Sequence, residues 1–240
     1  MIYFFDGTID GFLTAFVCAF NDKNAQLACE KMQLPLGQEP VYIQTDFDKA
    51  QRARARLLSF DTRVMRDISY LLRSGECDGA QAAFRYVRRL AQAKKSIWDA
   101  LTFDEVFDAV QRIKRVGLEI HRFHGFIRFI QTASGVLYAP FSPDNDICDL
   151  LAPHFRARLG KTPFVIHDVK RKKAVLFNGE QTALLTLENP DVFLSEDEQA
   201  WQMLWKTYYT AVNIPSRERI KQMRGYMPVR YHDFLTELQP

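Results

Sequence analysis

The stretch Glu119–Phe129 places histidine and arginine side chains among aromatic residues. Its basic members are His121, Arg122, His124 and Arg128. Polar groups in such a setting are either satisfied within the fold or face a cleft that meets a flat, anionic ligand such as nucleic acid. We expect His121 and Arg122 to contact phosphate or a base edge, because a guanidinium is a planar fork that also stacks on rings. One of the two histidines is expected to have a structural role.

A second set of residues could carry acid–base chemistry, namely His121, His154, His167 and Asp168. Imidazole and carboxylate groups exchange protons in catalysis, so these residues would serve a hydrolase or lyase if their side chains converge. His167 and Asp168 are adjacent on a predicted strand and therefore face opposite sides of a sheet. His167 would need a partner from elsewhere, such as His154 or Asp6. Asp168 could instead fix the turn that follows it.

Cationic residues cluster at two further points, a predicted hairpin tip and a basic segment late in the chain. In the basic segment the cations alternate with tyrosines, which suits single-stranded or distorted nucleic acid, although a solvated surface gives the same pattern. Together with the arginines of the first stretch, the residues predicted to contact nucleic acid are Arg122, Arg128, Lys170, Arg171, Lys172, Lys173, Arg217, Arg224, Arg230 and Tyr231.

Acidic residues at two places admit both a functional and a structural explanation. Asp6 follows a predicted strand, where α/β units often hold functional groups, but we favour an Asp-Gly turn. Asp144, Asp146, Asp149 and His154 are metal-binding residue types, yet helix capping accounts for Asp146 and the spacing matches no two-metal nuclease. The cysteines form no Cys-x-x-Cys pair. We therefore predict no metal site and no cofactor.

A run of aromatic residues recurs at helical spacing late in the sequence, at Trp201, Trp205, Tyr208 and Tyr209. Such a stripe is more typical of a helix that faces the core than of a platform on which unpaired bases stack. We assign it to the core and keep the platform as the alternative.

Hydrophobic periodicity predicts the elements that must position these residues. Alternating or short apolar runs predict strands at 2–5, 41–45, 126–131, 135–141, 164–168, 173–178 and 181–187. Helical spacing predicts helices after 8, from 46 to 95, from 104, after 146 and from 195. The arginines of 46–95 fit either a solvated surface or a face that follows a phosphate backbone.

This order of elements predicts an α+β fold with a central, mainly antiparallel sheet flanked by helices. A basic helical segment is inserted near the N-terminal third. We expect a single domain over 1–240, with a possible helical subdivision at 46–100.

The composition bounds the class of protein. The chain has 240 residues, of which 47% are hydrophobic, and this is enough for a sizeable core and excludes disorder. A formal net charge of +3 is close to balanced, so attraction to nucleic acid must come from local clusters. Free cysteines, no run long enough to span a membrane and no secretory pattern lead us to expect a cytoplasmic protein without a membrane partner.

Several stretches, taken in order, resemble one bacterial family. They are Tyr3–Thr8 with Gly11–Thr14, His121–Arg122 with Gly125–Phe129, Pro153–Phe155, Ile166–Asp168 and Met227–Tyr231. The family is associated with DNA metabolism and has no assigned mechanism. Its members occur beside a radical-SAM protein of DNA modification or repair, and some are fused to a uracil-DNA glycosylase domain.

The resemblance implies an accessory protein of DNA repair or modification that binds single-stranded DNA or a distorted duplex and acts with the radical-SAM enzyme. It also marks Asp6 and His124 as motif positions. We expect no glycosylase chemistry, because the chain ends soon after Tyr231, and no radical-SAM chemistry, because Cys-x-x-x-Cys-x-x-Cys is absent. The alternative is a hydrolase or lyase that acts on damaged DNA or a nucleotide through the acid–base residues above.

Overall fold

The structure is a computed structural model that describes residues 1–29, 39–188, 195, 197–212 and 225–238. The chain divides into two compact units, Met1–Gly117 and Leu118–Pro240. The helical subdivision expected at 46–100 lies inside the first unit, which also contains strands. Helices and strands occur in both units, so the α+β class is confirmed in its coarse form.

The first unit contains a small parallel sheet. Its strands are β1 (Ile2–Phe4), β2 (Gln26–Ala28) and β3 (Val41–Tyr42) in the order β2-β1-β3, and helix α1 (Ile9–Ala19) connects β1 to β2. The sequence did not predict β2, because its three residues are too few to display a period. Gly7, at φ 76°, makes the tight exit from β1, and Thr8 caps α1 by accepting a hydrogen bond from Gly11 N.

Helices complete the first unit: α2 (Phe47–Leu58), α3 (Val64–Arg73), α4 (Gly79–Ala93) and α5 (Asp104–Phe126), which ends in the second unit. Asp46 caps α2, as predicted, by accepting a hydrogen bond from Lys49 N at 3.0 Å. The core contains Phe12, Phe16 and Phe84, all of them buried. Burial of each such side chain contributes about 1.5–3 kcal/mol relative to exposure to water.

The second unit contains a mixed sheet of five strands in the order β4-β5-β6-β7-β8. The strands are β4 (Ile130–Gln131), β5 (Leu137–Phe141), β6 (Phe164–Asp168), β7 (Lys173–Phe177) and β8 (Thr182–Thr186). Helix α6 (Cys148–Leu159) connects β5 to β6, which therefore pair in parallel, whereas the other neighbours are antiparallel. The expectation of one central, mainly antiparallel sheet is thus only partly correct, because a crossover helix separates β5 from β6 and the other sheet is parallel.

Further helical segments follow the sheet. Helix α7 spans Glu198–Val212, and two short 3-10 helices span Val229–Phe234 and Thr236–Leu238. Among the described residues, no helix combines the length and the apolar character that crossing a bilayer requires.

Two local predictions in the second unit were wrong. The strand expected at 126–131 is only Ile130–Gln131, because α5 continues through Phe126 and consumes the first part of the run. Helix α6 has Ile147 at its N-cap with no side-chain hydrogen bond. Asp146, expected to cap this helix, instead pairs with Lys173 Nζ at 2.9 Å.

Candidate nucleic-acid interface

The end of α5 carries a buried carboxylate that is fully engaged. Glu119 Oε1 accepts hydrogen bonds from Asp144 N and from the Tyr231 hydroxyl, both at 2.8 Å. Glu119 Oε2 accepts from Asn145 N at 2.9 Å and from its side-chain amide at 2.6 Å. The carboxylate therefore ties α5 to the loop before α6 and to the 3-10 helix Val229–Phe234, which is a structural role.

Tyr231 was predicted to contact nucleic acid, and its position argues against stacking on a base. Its side chain is 2% exposed and packs against Phe123 with ring centroids 4.5 Å apart. Burial and the Glu119 carboxylate raise the pKa of its hydroxyl. The motif that contains Tyr231 therefore packs against the core of the second unit, and the Tyr231 ring is buried.

His124 and His154 form a stacked pair of imidazoles between α5 and α6. Their ring centroids are 4.0 Å apart and their planes differ by 11°. Within the described part of the chain, the buried Nε2 atom of His124 has no hydrogen-bond partner. Burial lowers the pKa of His124, and the charges of His154 and His121 lower it further. Parallel rings direct their nitrogens along separate planes, so the pair cannot share one metal ion in this arrangement.

His167 is buried in the sheet with both ring nitrogens engaged. Nε2 lies 2.9 Å from the carbonyl oxygen of Leu187, and Nδ1 lies 2.6 Å from the Tyr138 hydroxyl. Because a carbonyl can only accept, Nε2 carries the proton and Nδ1 accepts from the tyrosine. Burial lowers the pKa of His167 and favours this neutral form. Tyr138 and Leu187 thus take the place of the partners that the sequence suggested, His154 or Asp6.

Asp168 is fully buried and fixes the turn that follows β6. Its Oδ1 accepts from Lys170 N and Arg171 N, both at 3.1 Å, and its Oδ2 pairs with Arg171 Nη1 at 2.8 Å. The turn explanation for Asp168 fits these contacts. Among the described residues, no hydrogen bond, ion pair or ring contact joins His167 or Asp168 to His121 or His154. The acid–base set is therefore not brought into one constellation by direct contact.

Asp6, in the first unit, is exposed, but its carboxylate also accepts several hydrogen bonds within the fold. Its Oδ1 accepts from Thr8 N at 2.9 Å and from the Thr8 hydroxyl at 2.7 Å, while its Oδ2 accepts from the Thr45 hydroxyl at 2.7 Å. The pKa of Asp6 is lowered because these hydrogen bonds outweigh the opposing effect of burial, the largest single contribution. The residue links the exits of β1 and β3, in agreement with the turn explanation.

Most of the predicted phosphate contacts have partners in the fold. Carboxylates pair with Arg128, Arg171, Lys172, Lys173 and Arg230, and these carboxylates are Glu237, Asp168, Glu188, Asp146 and Asp144. Arg122 Nη2 donates to the carbonyl oxygen of Gly225 at 2.9 Å. Lys170 is exposed and has no ion pair among the described residues. Arg217 and Arg224 lie outside the described residues.

Helix α7 presents an exposed set of rings, which we call the α7 aromatic face: Trp201, Trp205 and Tyr208. These side chains are 60%, 39% and 57% exposed, so the assignment to the core was wrong for these three residues. Tyr209, the fourth residue of the predicted stripe, is half-buried. Trp205 and Tyr208 lie with ring centroids 5.7 Å apart at an angle of 33°. The periodicity revealed the helix and its stripe, but no sequence signal says whether another element covers it.

A pocket of about 550 Å³ adjoins this face. Aromatic side chains in its walls are Phe129, Phe155, Trp201 and Trp205, and polar ones are Arg128, Gln131, Arg158, Glu198, Gln202 and Thr236. The pocket thus combines a stacking surface with cations and amides, which are the groups that recognise an unpaired base.

Buried carboxylates orient the walls of this pocket. Glu198, 5% exposed, accepts from Gln131 N at 2.8 Å and from Gln202 Nε2 at 2.9 Å. Glu237 accepts from Trp205 Nε1 at 3.0 Å and pairs with Arg128, whose guanidinium lies 5.6 Å from the centre of the Trp205 ring. Trp205 and Arg128 are therefore held in place before any ligand arrives.

The pocket and the α7 aromatic face lie within the part of the chain that a family model matches. This model describes a domain of unknown function, DUF4130, and it matches residues 78–237. The chain belongs to this family. The DUF4130 region begins just before α4 and ends at Glu237, so it includes the stacked histidines and every wall of the pocket. A search of curated proteins found no match for the chain. No group of three or more metal-binding side chains occurs in the described part of the DUF4130 region or before it.

Proposed function

We propose that the protein binds single-stranded or distorted DNA through the α7 aromatic face and receives an unstacked base in the adjoining pocket. The observation that carries this proposal is the exposure of Trp201 and Trp205 at the mouth of a pocket lined by arginine. Stacking of a base on an aromatic side chain is worth about 1–3 kcal/mol and tolerates any base. Because the rings of α7 are exposed, they can gain this stacking free energy when a base binds.

Cations beside the α7 aromatic face support the choice of nucleic acid over a neutral ligand. Arg158 is exposed at the pocket wall and has no ion pair among the described residues. Arg128 is paired with Glu237 but keeps 24% of its side chain exposed above Trp205. Rings alternating with guanidinium groups can follow a strand of stacked bases and phosphates.

The resemblance described above supports a proposal for the role of this protein once it has bound DNA. We propose an accessory protein that holds an unpaired segment for a radical-SAM enzyme of DNA repair or modification. The support for this partner is the order of motifs alone. Co-purification of the two proteins with and without a single-stranded oligonucleotide tests it, and a complex that never forms under either condition contradicts it.

Tryptophan fluorescence tests the DNA-binding proposal directly. The chain has three tryptophans, of which Trp201 and Trp205 belong to the α7 aromatic face and Trp98 lies in the first unit. Titration with a single-stranded 20-mer should quench the emission, and a fully paired duplex should quench it less. Trp201→Ala should weaken binding roughly tenfold, because about 1.4 kcal/mol of stacking corresponds to that factor.

Trp98→Phe is the matched control, because it removes one indole outside the α7 aromatic face. This variant should bind the 20-mer with unchanged affinity and retain the quenching. The proposal is wrong if the single strand does not bind, or if Trp98→Phe weakens binding as much as Trp201→Ala does.

A further inference from the structure

The first unit contains a groove of about 910 Å³ that the α7 proposal does not use. Its walls come from α4, from the start of α5 and from the turn after α1. Charged residues in these walls are Lys23, Arg85, Arg88, Arg89 and Arg112, together with Asp78, Asp104, Glu105 and Asp108. The volume lies within the range of small-molecule sites, about 300–1,000 Å³.

Part of the charge in this groove is consumed by ion pairs within the fold. Arg112 is largely buried and pairs with Asp78 at 2.6 Å and with Asp108 at 2.9 Å. Arg89 pairs with Glu105 at 2.8 Å. These pairs fix α4 to α5 and leave little charge for a ligand.

Some cations of the groove have hydrogen-bond donors that no carboxylate engages, so these donors can bind a ligand. Lys23 and Arg85 have no ion pair among the described residues, and Arg85 is exposed. Arg88 donates from Nη1 to the carbonyl oxygen of Asp22 at 3.1 Å and lies over the ring of Phe84, so its charge has no carboxylate partner in that contact.

The other wall offers acceptors. Asp104 is exposed at the start of α5, and among the described residues it has no hydrogen bond or ion pair through its side chain. A long polyanion would be repelled by Asp104 and by the carboxylates around Arg112. A small ligand with one anionic end and one end rich in hydroxyl donors would match both walls. Phe20, partly exposed in the groove, supplies a ring face for a base.

We infer that this groove binds a nucleoside monophosphate, with its phosphate against Lys23, Arg85 and Arg88 and its sugar hydroxyls against Asp104. The same phosphate monoester occurs at the 5′ end of a DNA strand, so a strand terminus is a second source of this chemistry. The inference does not depend on the α7 proposal, because the groove residues and the α7 aromatic face belong to different units.

Calorimetric titration of the full chain tests the inference. The ligands are the four ribonucleoside 5′-monophosphates, adenosine and inorganic phosphate. At least one monophosphate should bind, inorganic phosphate should bind more weakly, and adenosine should not bind measurably. Arg85→Gln should weaken monophosphate binding at least tenfold, and Asp104→Asn should weaken the binding of the monophosphate but not that of inorganic phosphate.

Matched controls carry the same charge changes outside the groove. Arg52→Gln and Asp99→Asn alter exposed residues that have no ion pair among the described residues and do not line the groove. Both should bind the monophosphate as the parent does. If Arg85→Gln does not fold, as judged by its thermal midpoint, Lys23→Gln replaces it with the same expectation.

Competition separates the two sources of phosphate. A 5′-phosphorylated 20-mer that displaces the monophosphate, when the same strand with a 5′-hydroxyl does not, identifies strand ends as a ligand. The inference fails if no monophosphate binds, if adenosine binds as tightly as its monophosphate, or if Arg52→Gln is as damaging as Arg85→Gln. Quenching of Trp201 and Trp205 by DNA is measured separately, so failure of this groove leaves the α7 proposal intact, and the converse also holds.

Discussion

The imidazole of His124, which is stacked on His154, has a pKa below its ordinary value. Burial disfavours the charged form of His124, and its neighbours His154 and His121 add like charge when they are protonated. The phenyl ring of Phe155, which packs edge-on against both imidazoles, offers no countercharge. Protonation of His124 therefore destabilises the folded state.

We predict that the second unit loses stability as the pH falls from about 7 to about 5. The unfolded chain takes up a proton at His124 near pH 6.5, whereas the folded chain does so only at lower pH, so protonation draws the equilibrium toward unfolding. His124→Gln should lose less stability over this range, measured by urea unfolding at each pH. His167, whose pKa is also lowered by burial, remains in both proteins, so their difference reports on His124. Equal losses in the two proteins contradict the prediction.

The chemistry of single residues was only partly predictable. Asp168 before a turn has a local reason to bind backbone amides, and the structure agrees. The bond between His167 and Tyr138 was not predictable, because it depends on the parallel register of β5 with β6. Local spacing cannot reveal which side chains a crossover helix brings together.

At the scale of elements, the turn from β1 into α1 depends on the absence of a side chain at Gly11. A Cβ at this position would collide with the Asp6 carboxylate and lie 3.1 Å from the Thr45 hydroxyl oxygen. That carboxylate cannot easily move aside, since Thr8 and Thr45 hold both of its oxygens. The close approach explains a glycine inside the first turn of a helix.

We predict that Gly11→Ala destabilises the first unit by about 1–3 kcal/mol, the usual cost of overpacking. Gly117→Ala is the control, because its Cβ would meet only Tyr70 at an ordinary distance of 3.7 Å. This control should gain about 0.5–1 kcal/mol from helix propensity. Thermal unfolding of both variants gives the two signs, and a stabilising Gly11→Ala would overturn the explanation.

The elements themselves were largely predictable where a period extends over enough residues. Strands β5 to β8 and helices α1, α2 and α6 occur where the sequence indicated them. The three residues of β2 and the end of α5 were missed, because a short run fits either period. The exposure of α7 was also missed, since a periodic stripe predicts a helix without saying what covers it.

At the scale of the whole molecule, the charge available to DNA is small. The net charge is +3, and carboxylates within the fold engage five of the seven described cations that the sequence assigned to phosphate. Exposed cations of the second unit without an ion pair among the described residues include Arg158 and Lys170. Binding should therefore depend more on stacking than on the release of counterions.

We predict a shallow dependence of DNA affinity on salt, with log K falling by on the order of 2–3 per decade of salt for a single strand. Lys170→Gln should reduce this slope by about 0.7, the contribution of one phosphate contact. Lys173→Gln should leave the slope unchanged, because Lys173 is paired with Asp146. Filter binding across a series of salt concentrations measures all three slopes. A steep slope for the parent, or equal effects of the two variants, would count against the assignment.

The hydrogen bond from His167 to Leu187 has a consequence for the outer edge of the mixed sheet. Among the described residues, strand β8 pairs with β7 alone, and it is exposed along most of its length. Successive carbonyls of an extended chain point in opposite directions. A one-residue slip would turn the Leu187 carbonyl away and leave the imidazole proton without an acceptor in the interior. The hydrogen bond from His167 to the Leu187 carbonyl therefore favours the observed register of β8 over a register shifted by one residue.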